Sequence, residues 1–175
     1  MLLYCATTNS GKLREFREFF VGSGITPEPL QAPAPEETGA SFEENAIAKA
    51  IYYSTRTDGL VFADDSGLEV EALVGQPGVY SARYAGPGAS DADNNRLLVE
   101  RMRGEPNRVA RFVAVIALAR AGQLLGTFQG TVEGGVVVAP RGHGGCGYGT
   151  LFYYPPVGLC CGGAARGETA KVHHG

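Results

Sequence analysis

The chain opens on Leu2, Leu3, Tyr4, Cys5 and Ala6, a short continuous apolar run of the kind that forms a strand buried on both faces. Polar residues Thr7 to Ser10 interrupt it at once. From Lys12, Leu13, Phe16, Phe19 and Phe20 recur at spacings of three and four, with Arg14, Glu15, Arg17 and Glu18 on the other face. This order predicts strand, loop and helix, the helix stopping near Gly22 and Gly24. Residues 25–40 contain Pro27, Pro29, Pro33 and Pro35 and are expected to be extended or irregular.

Ser41 with Glu44 three residues on has the form of a capping box, and Phe42, Ala46, Ile47, Ala50 and Ile51 keep a helical apolar face to about Ser54. Leu60 to Ala63 is a second buried-strand run. It meets Asp64-Asp65-Ser66-Gly67, so the two acids are expected at a strand's carboxyl end. Glycines and prolines at 75–78 and 86–88 mark a loop-rich middle, after which Ser90 and Asp93 open a helix bearing Leu97, Leu98 and Met102. Arg111 to Ala119 and Leu124 to Val138 read as strands joined at Ala121-Gly122-Gln123. Helices between buried strands, followed by consecutive strands, predict an α/β protein.

The length of 175 residues suits a single domain, residues 1–175, with a substantial core. Half of the 26 glycines fall in residues 130–175, so the C-terminal quarter is expected to be loops. A net charge of −3 and a pI near 5.6 argue against a general nucleic-acid binder. The longest apolar run, between Arg111 and Arg120, falls far short of the roughly 20 residues that cross a bilayer, which argues against a membrane protein. The apolar N-terminus lacks a basic flank and ends too early for a secretory signal, so a cytoplasmic protein is expected. Cys5, Cys146, Cys160 and Cys161 form no C-x-x-C pair, and reduced thiols are the expectation.

Three constellations carry chemistry. Thr7-Thr8-Asn9-Ser10-Gly11-Lys12 lies between the first strand and the first helix. Free N–H groups at a helix start, hydroxyls and a lysine make a phosphate seat, although an ordinary N-cap beside a surface lysine would look the same. In Asp64-Asp65-Ser66-Gly67 the adjacent carboxylates point in different directions, so one can meet a metal or water while the other anchors the chain; a solvated acidic turn is the plainer reading. Glu37 stands in an irregular loop, and Lys49 lies one helical turn beyond Asn45. Taken together, a phosphate seat, oxygen ligands and a second lysine suit Mg²⁺ and a polyphosphate.

Four ordered segments, T-x-N-x-x-K at Thr7 to Lys12, E-T-G-x-S-F-x-E-N-A-x-x-K-A at Glu37 to Ala50, A-D-D-S-G-L at Ala63 to Leu68 and P-G-V-Y-S-A-R-Y-A-G at Pro77 to Gly86, resemble the inosine/xanthosine triphosphate pyrophosphatase family over roughly residues 1–155. The resemblance implies an elongated mixed β-sheet flanked by helices, two lobes with a central substrate cleft, and a homodimer. It also implies Mg²⁺-dependent cleavage of ITP, dITP and XTP to monophosphate and pyrophosphate. Carried over, Thr7, Thr8, Asn9, Ser10, Gly11 and Lys12 would bind the triphosphate and Lys49 would be a second phosphate cation. Glu37 and Asp65 would hold Mg²⁺, Asp65 would also be the base that readies water, and Ser66 would touch substrate.

The C-terminal quarter departs from the family pattern, and residues 139–175 are expected to be divergent, loop-rich and truncated relative to it. Where the family has G-G-F-G-Y-D-P, this chain reads Gly144-Gly145-Cys146-Gly147-Tyr148-Gly149-Thr150. Where it has a lysine and then S-H-R-G before a closing helix, this chain has Glu168 and then Val172-His173-His174-Gly175. Cys146, Gly147, Tyr148, Gly149, His173 and His174 are therefore the substrate residues the resemblance places at the base, with a weakened grip on a purine. A nucleotide-binding protein with little or no turnover is the alternative to the enzyme.

Overall fold

A computed structural model describes residues 1–143, 147–156 and 159–160. The elements run β1 (Leu2–Cys5), α1 (Ser10–Phe19), β2 (Thr26–Pro29), α2 (Phe42–Ser54), β3 (Val61–Val70), α3 (Asp91–Arg101), β4 (Val109–Arg120), β5 (Gln123–Val136), β6 (Phe152–Tyr154) and β7 (Leu159–Cys160). Seven strands form one sheet in the order β2-β1-β3-β4-β5-β6-β7. β1 is parallel to β2 and β3, whereas β6 is antiparallel to β5 and β7. The sheet is mixed and the fold α/β, as the alternation of apolar runs predicts. No helix among the described residues is long and apolar enough to cross a membrane.

The chain groups into two compact units, residues 1–65 with 115–129 and residues 66–114 with 130–175. In the first, the α1 stripe closes over the sheet: Leu3, Cys5, Phe16 and Phe62 are buried together, with Leu13, Phe20, Ile116 and Leu118 packed around them. Phe16 meets Phe62 edge to face with ring centroids 4.9 Å apart. Burial pushes the Cys5 thiol up to about 12, with Asp64 adding to the shift and Lys12 and Arg17 opposing it, so this sulfur is not a nucleophile. The turn between β4 and β5 carries positive φ at Ala121 and Gly122, the backbone a two-residue hairpin requires.

The second unit buries Leu68, Val70, Leu98, Met102, Val136, Tyr148, Leu151 and Phe152 in one cluster. Its helix α3 starts on the expected capping box: the Ser90 hydroxyl accepts from Asp93 N–H, and the Asp93 carboxylate accepts from Ser90 N–H. Gly67 lies so close to the Ser81 hydroxyl and the Gly78 carbonyl that a Cβ there would collide with both.

Three local expectations are corrected. The strand entered at Val61 does not stop at the acids: β3 continues through Asp64-Asp65-Ser66-Gly67 to Val70, because the cations described below meet both carboxylates inside the fold. The proline-rich segment agrees with its expectation: it is extended at Thr26–Pro29 and contributes an edge strand. Thr26 and Leu30 donate their N–H groups to Met1 and Cys5 carbonyls, so Pro27 and Pro29, at the alternate positions, turn their missing donors outward. At the start of α2 the Ser41 hydroxyl caps Glu44 N–H, but the Glu44 carboxylate reaches back to Ala40 N–H rather than closing the box on Ser41. The C-terminal quarter, expected as loops, contributes β6 and β7.

Candidate functional site

The residues singled out in the first 65 positions come together within the first unit. Asn9 is the N-cap of α1, and its side-chain oxygen accepts from Gly11 N–H at 2.9 Å and Lys12 N–H at 3.2 Å. The Thr7 hydroxyl accepts from Asn9 N–H and shapes the turn. The sequence implied free N–H groups here; two of them are instead taken by Asn9, and a phosphate would have to share or displace that cap. Thr8, Asn9 and Ser10 are exposed, so the turn is open to a ligand.

From the first turn of α1 the Lys12 ammonium donates to Asp64 Oδ2 at 2.6 Å. Asp64 is 3% exposed, deep in β3. Burial opposes the lysine's charge, but the Asp64 carboxylate and its hydrogen bond, with Asp65 and Glu37 adding to them, hold the ammonium above its ordinary range. Asp65, the next residue on the strand, faces different partners. Asn45 Nδ2 donates to Asp65 Oδ2 at 3.0 Å, and the Lys49 ammonium stands 4.0 Å from Oδ1. The same ammonium donates to Glu37 Oε1 at 2.7 Å. The pleat thus sends one acid to each of two lysines.

Asn45 was not among the residues chosen from sequence. It is 2% exposed in the first turn of α2, on the side that buries Phe42 and Ala46. Its Oδ1 accepts from Gly39 N–H at 2.8 Å while its Nδ2 holds Asp65, so one side chain ties the Glu37 loop to the strand. A Cβ on Gly39 would fall 2.5 Å from that oxygen, which explains the glycine. The available signal was a polar residue placed on a buried helical face.

Burial raises the Asp65 carboxyl above the usual range; Lys49 pulls it down, Glu37 pushes it up, and Asn45 and Lys12 pull it down again. A desolvated carboxylate among fixed charges can take a proton from water more readily than a surface acid. Glu37 and Asp65 both approach one ammonium, a seat of hard oxygen donors that also suits a divalent cation keeping several waters.

The other expected residues belong to the second unit. Ser66 follows Asp65 on β3. Gly147 has a left-handed φ of 60°, its N–H donates to Asp91 Oδ2, and its carbonyl accepts from Asn95 Nδ2. Tyr148 is 3% exposed and its hydroxyl donates to the Ser81 carbonyl at 2.7 Å, so its ring belongs to the core rather than to an open stacking surface. Burial pushes its phenol up, with Tyr84 and Asp91 adding to the shift. Gly149 lies in the turn before β6. Cys146, His173 and His174 lie outside the described residues.

Fold and charges define a class, an α/β protein whose buried strand carboxylates are matched to one lysine at a helix start and another on a second helix, a donor set suited to a metal polyphosphate. The chain belongs to the Ham1 family, whose model matches residues 3–174. That match runs past residue 155, where the sequence motifs thin out. A dITP/XTP pyrophosphatase of Exiguobacterium sp. is 46% identical over 179 residues, covering 99% of this chain and 91% of its own. One from Thermus thermophilus is 46% identical over 180 residues, covering 99% and 86%. The solved structure of a HAM1 protein from Coxiella burnetii superposes with a TM-score of 0.89 at 35% identity, covering 99% of this chain and 92% of that one.

Proposed function

We propose that this protein is a metal-dependent nucleoside triphosphate pyrophosphatase that hydrolyses noncanonical purine nucleotides, ITP, dITP and XTP, to the monophosphate and pyrophosphate. The observation that carries the reading is the pairing of Lys12, in the first turn of α1, with Asp64 and of Lys49, on α2, with Glu37 and Asp65. The relatives named for this activity, alike over nearly the whole chain, point the same way.

The metal would be Mg²⁺, held by Glu37 and Asp65, since both are hard oxygen donors already drawn to one positive charge. Bound there, it would supply neutralisation of the charge on the phosphoryl oxygens. The chain's own residues do the rest. Thr7 to Lys12 seat the phosphates at the helix start, and Lys12 and Lys49 exchange a carboxylate partner for phosphate oxygens. Asp65 takes a proton from the attacking water; the new bond forms to the α-phosphorus while the bond to the bridging oxygen breaks, and pyrophosphate leaves against the two ammonium groups. Asn45 keeps Asp65 aimed throughout.

Ser66 contacts substrate, and Cys146, Gly147, Gly149, His173 and His174 are the residues assigned to the base, with Tyr148 anchoring Gly147 and Gly149 from the core. The protein works as a homodimer in the cytoplasm, where it cleanses the nucleotide pool, as a single domain of residues 1–175. Leu124 and Phe128, on one face of β5 and 41% and 65% exposed, support an apolar surface for a second copy. The test is pyrophosphate release from ITP with and without Mg²⁺, alongside the binding of ITP. Tight binding without release would replace the enzyme with a nucleotide-binding protein.

A further inference from the structure

The Gly147 peptide is held at both ends by one helix. Asp91 Oδ2 accepts its N–H at 2.9 Å, and Asn95 Nδ2 donates to its carbonyl at 2.9 Å. Asp91 and Asn95 are four apart on α3, so they stand on one face of the helix a single turn from each other. The φ of 60° at Gly147 is one that glycine adopts without strain and side-chain-bearing residues rarely do, so the residue suits the turn it opens and the two bonds from α3 fix where that turn sits. The next residue supplies a third anchor: the Tyr148 hydroxyl bonds the Ser81 carbonyl, and the Ser81 hydroxyl in turn accepts Leu68 N–H and donates to the Gly78 carbonyl.

Asn95 shows a further feature. Its Oδ1 is buried and has no hydrogen-bond partner among the described residues. A buried acceptor left unmet is costly, and an apolar side chain of the same size removes that cost while taking the donor from the Gly147 carbonyl, so its two effects on stability oppose one another. What an apolar residue cannot do is donate to Gly147. The position is explained by holding the loop, not by holding the fold.

We propose that Asp91 and Asn95 are positioning residues for base selectivity: by fixing both polar groups of the Gly147 peptide they set the segment that faces the purine. This rests on the reading of that segment given under the proposed function. Groups that discriminate one base from another do so only while fixed in place, so loosening the clamp lowers discrimination without touching the phosphate end.

The test measures Kd for ITP and for ATP in EDTA, where hydrolysis does not intrude, then kcat/KM for both with Mg²⁺, on the full chain. Asn95→Leu and Asp91→Ala are expected to bring the ITP to ATP ratio down by about tenfold, the effect of losing a well-placed hydrogen bond. Asp91→Asn keeps an acceptor oxygen and is expected to retain the parental ratio. Asn95→Leu is expected to change Tm little. Asp93→Ala, which breaks the α3 capping box but leaves the clamp, is expected to lower Tm and keep the ratio. Ratios for Asn95→Leu and Asp91→Ala within twofold of the parent overturn the proposal, as does a parental ratio near one, or a ratio that follows Tm across all four variants. A parent that binds ITP selectively but hydrolyses nothing refutes the pyrophosphatase reading instead, and the Kd ratios still decide this one.

Discussion

The cluster in residues 1–65 and the loop around Gly147 are built from different materials. The first is ionic: two lysines and three carboxylates, the strand acids buried, each meeting an opposite charge. The second is neutral at the loop itself, a backbone peptide held by a helix and a tyrosine hydroxyl spent on a carbonyl. Charges tolerate small displacements because Coulomb attraction falls slowly with distance, whereas hydrogen-bond recognition of a base fails with modest misplacement. In the proposed function, chemistry common to every nucleoside triphosphate is assigned to the first region and choice among bases to the second. Substitutions can pull the two apart.

The largest expected effect is at Asp65. Asp65→Asn should lower kcat by about a thousandfold, since it removes the proposed base and a proposed metal ligand together. The fold should not suffer. Because burial raises this carboxyl, its ionised form is less favoured in the folded than in the unfolded chain, and above the raised pKa its charge costs stability. That cost disappears below the unfolded pKa. The metal-free variant should therefore match or exceed the parent's Tm at neutral pH; residual activity within a few-fold of the parent would remove Asp65 from its role.

Next come the lysines. Lys12→Ala and Lys49→Ala should each lower kcat/KM for ITP by about tenfold to a hundredfold while leaving the ITP to ATP ratio near the parent's. Lys12→Ala also takes the cation from buried Asp64, at a cost of about 3 kcal/mol. Adding Asp64→Asn should restore Tm but not activity, which separates holding the strand from holding phosphate. A lysine substitution that mainly moves the base ratio would mean the two regions have been assigned the wrong way round.

Glu37→Gln should have a smaller effect on the maximal rate and show itself as a raised Mg²⁺ requirement, because a carboxamide oxygen is a weaker ligand and water can fill the shell. An unchanged Mg²⁺ titration would take Glu37 out of the site. Smallest is Ser90→Ala, which removes the α3 cap and should cost about 1 kcal/mol in stability with kcat intact.

The same contrast explains what could be read from the sequence. Periodic segments such as α1 and the hairpin of β4 and β5 declare themselves, because their apolar spacing is local and their caps and turns are short-range. The site's lysines and acids stood out as residue types near turns and a helix start. What could not be read was pairing across the chain. Nothing near Asp64 in sequence says that Lys12, 52 residues earlier, meets it, and without that cation Asp-Asp-Ser-Gly reads as the end of a strand rather than its middle. Pro27 and Pro29 look hostile to a sheet until the edge position of β2 is known. Asn45 is legible only as a polar residue on an apolar face, and the hold of Asp91 and Asn95 on Gly147 joins segments more than 50 residues apart.

Weakened base readout combined with intact phosphate chemistry is the central claim. It is tested most directly by relative kcat/KM for pyrophosphate release from ITP, dITP, XTP, GTP and ATP with Mg²⁺. The account predicts turnover of ITP, dITP and XTP, with a margin over ATP smaller than the family pattern implies, since Cys146 stands where that pattern has an aromatic ring and His174 where it has an arginine. Strong exclusion of ATP would show that other residues rebuild the base pocket, and release of orthophosphate in place of pyrophosphate, or no release from any triphosphate, would contradict the account outright.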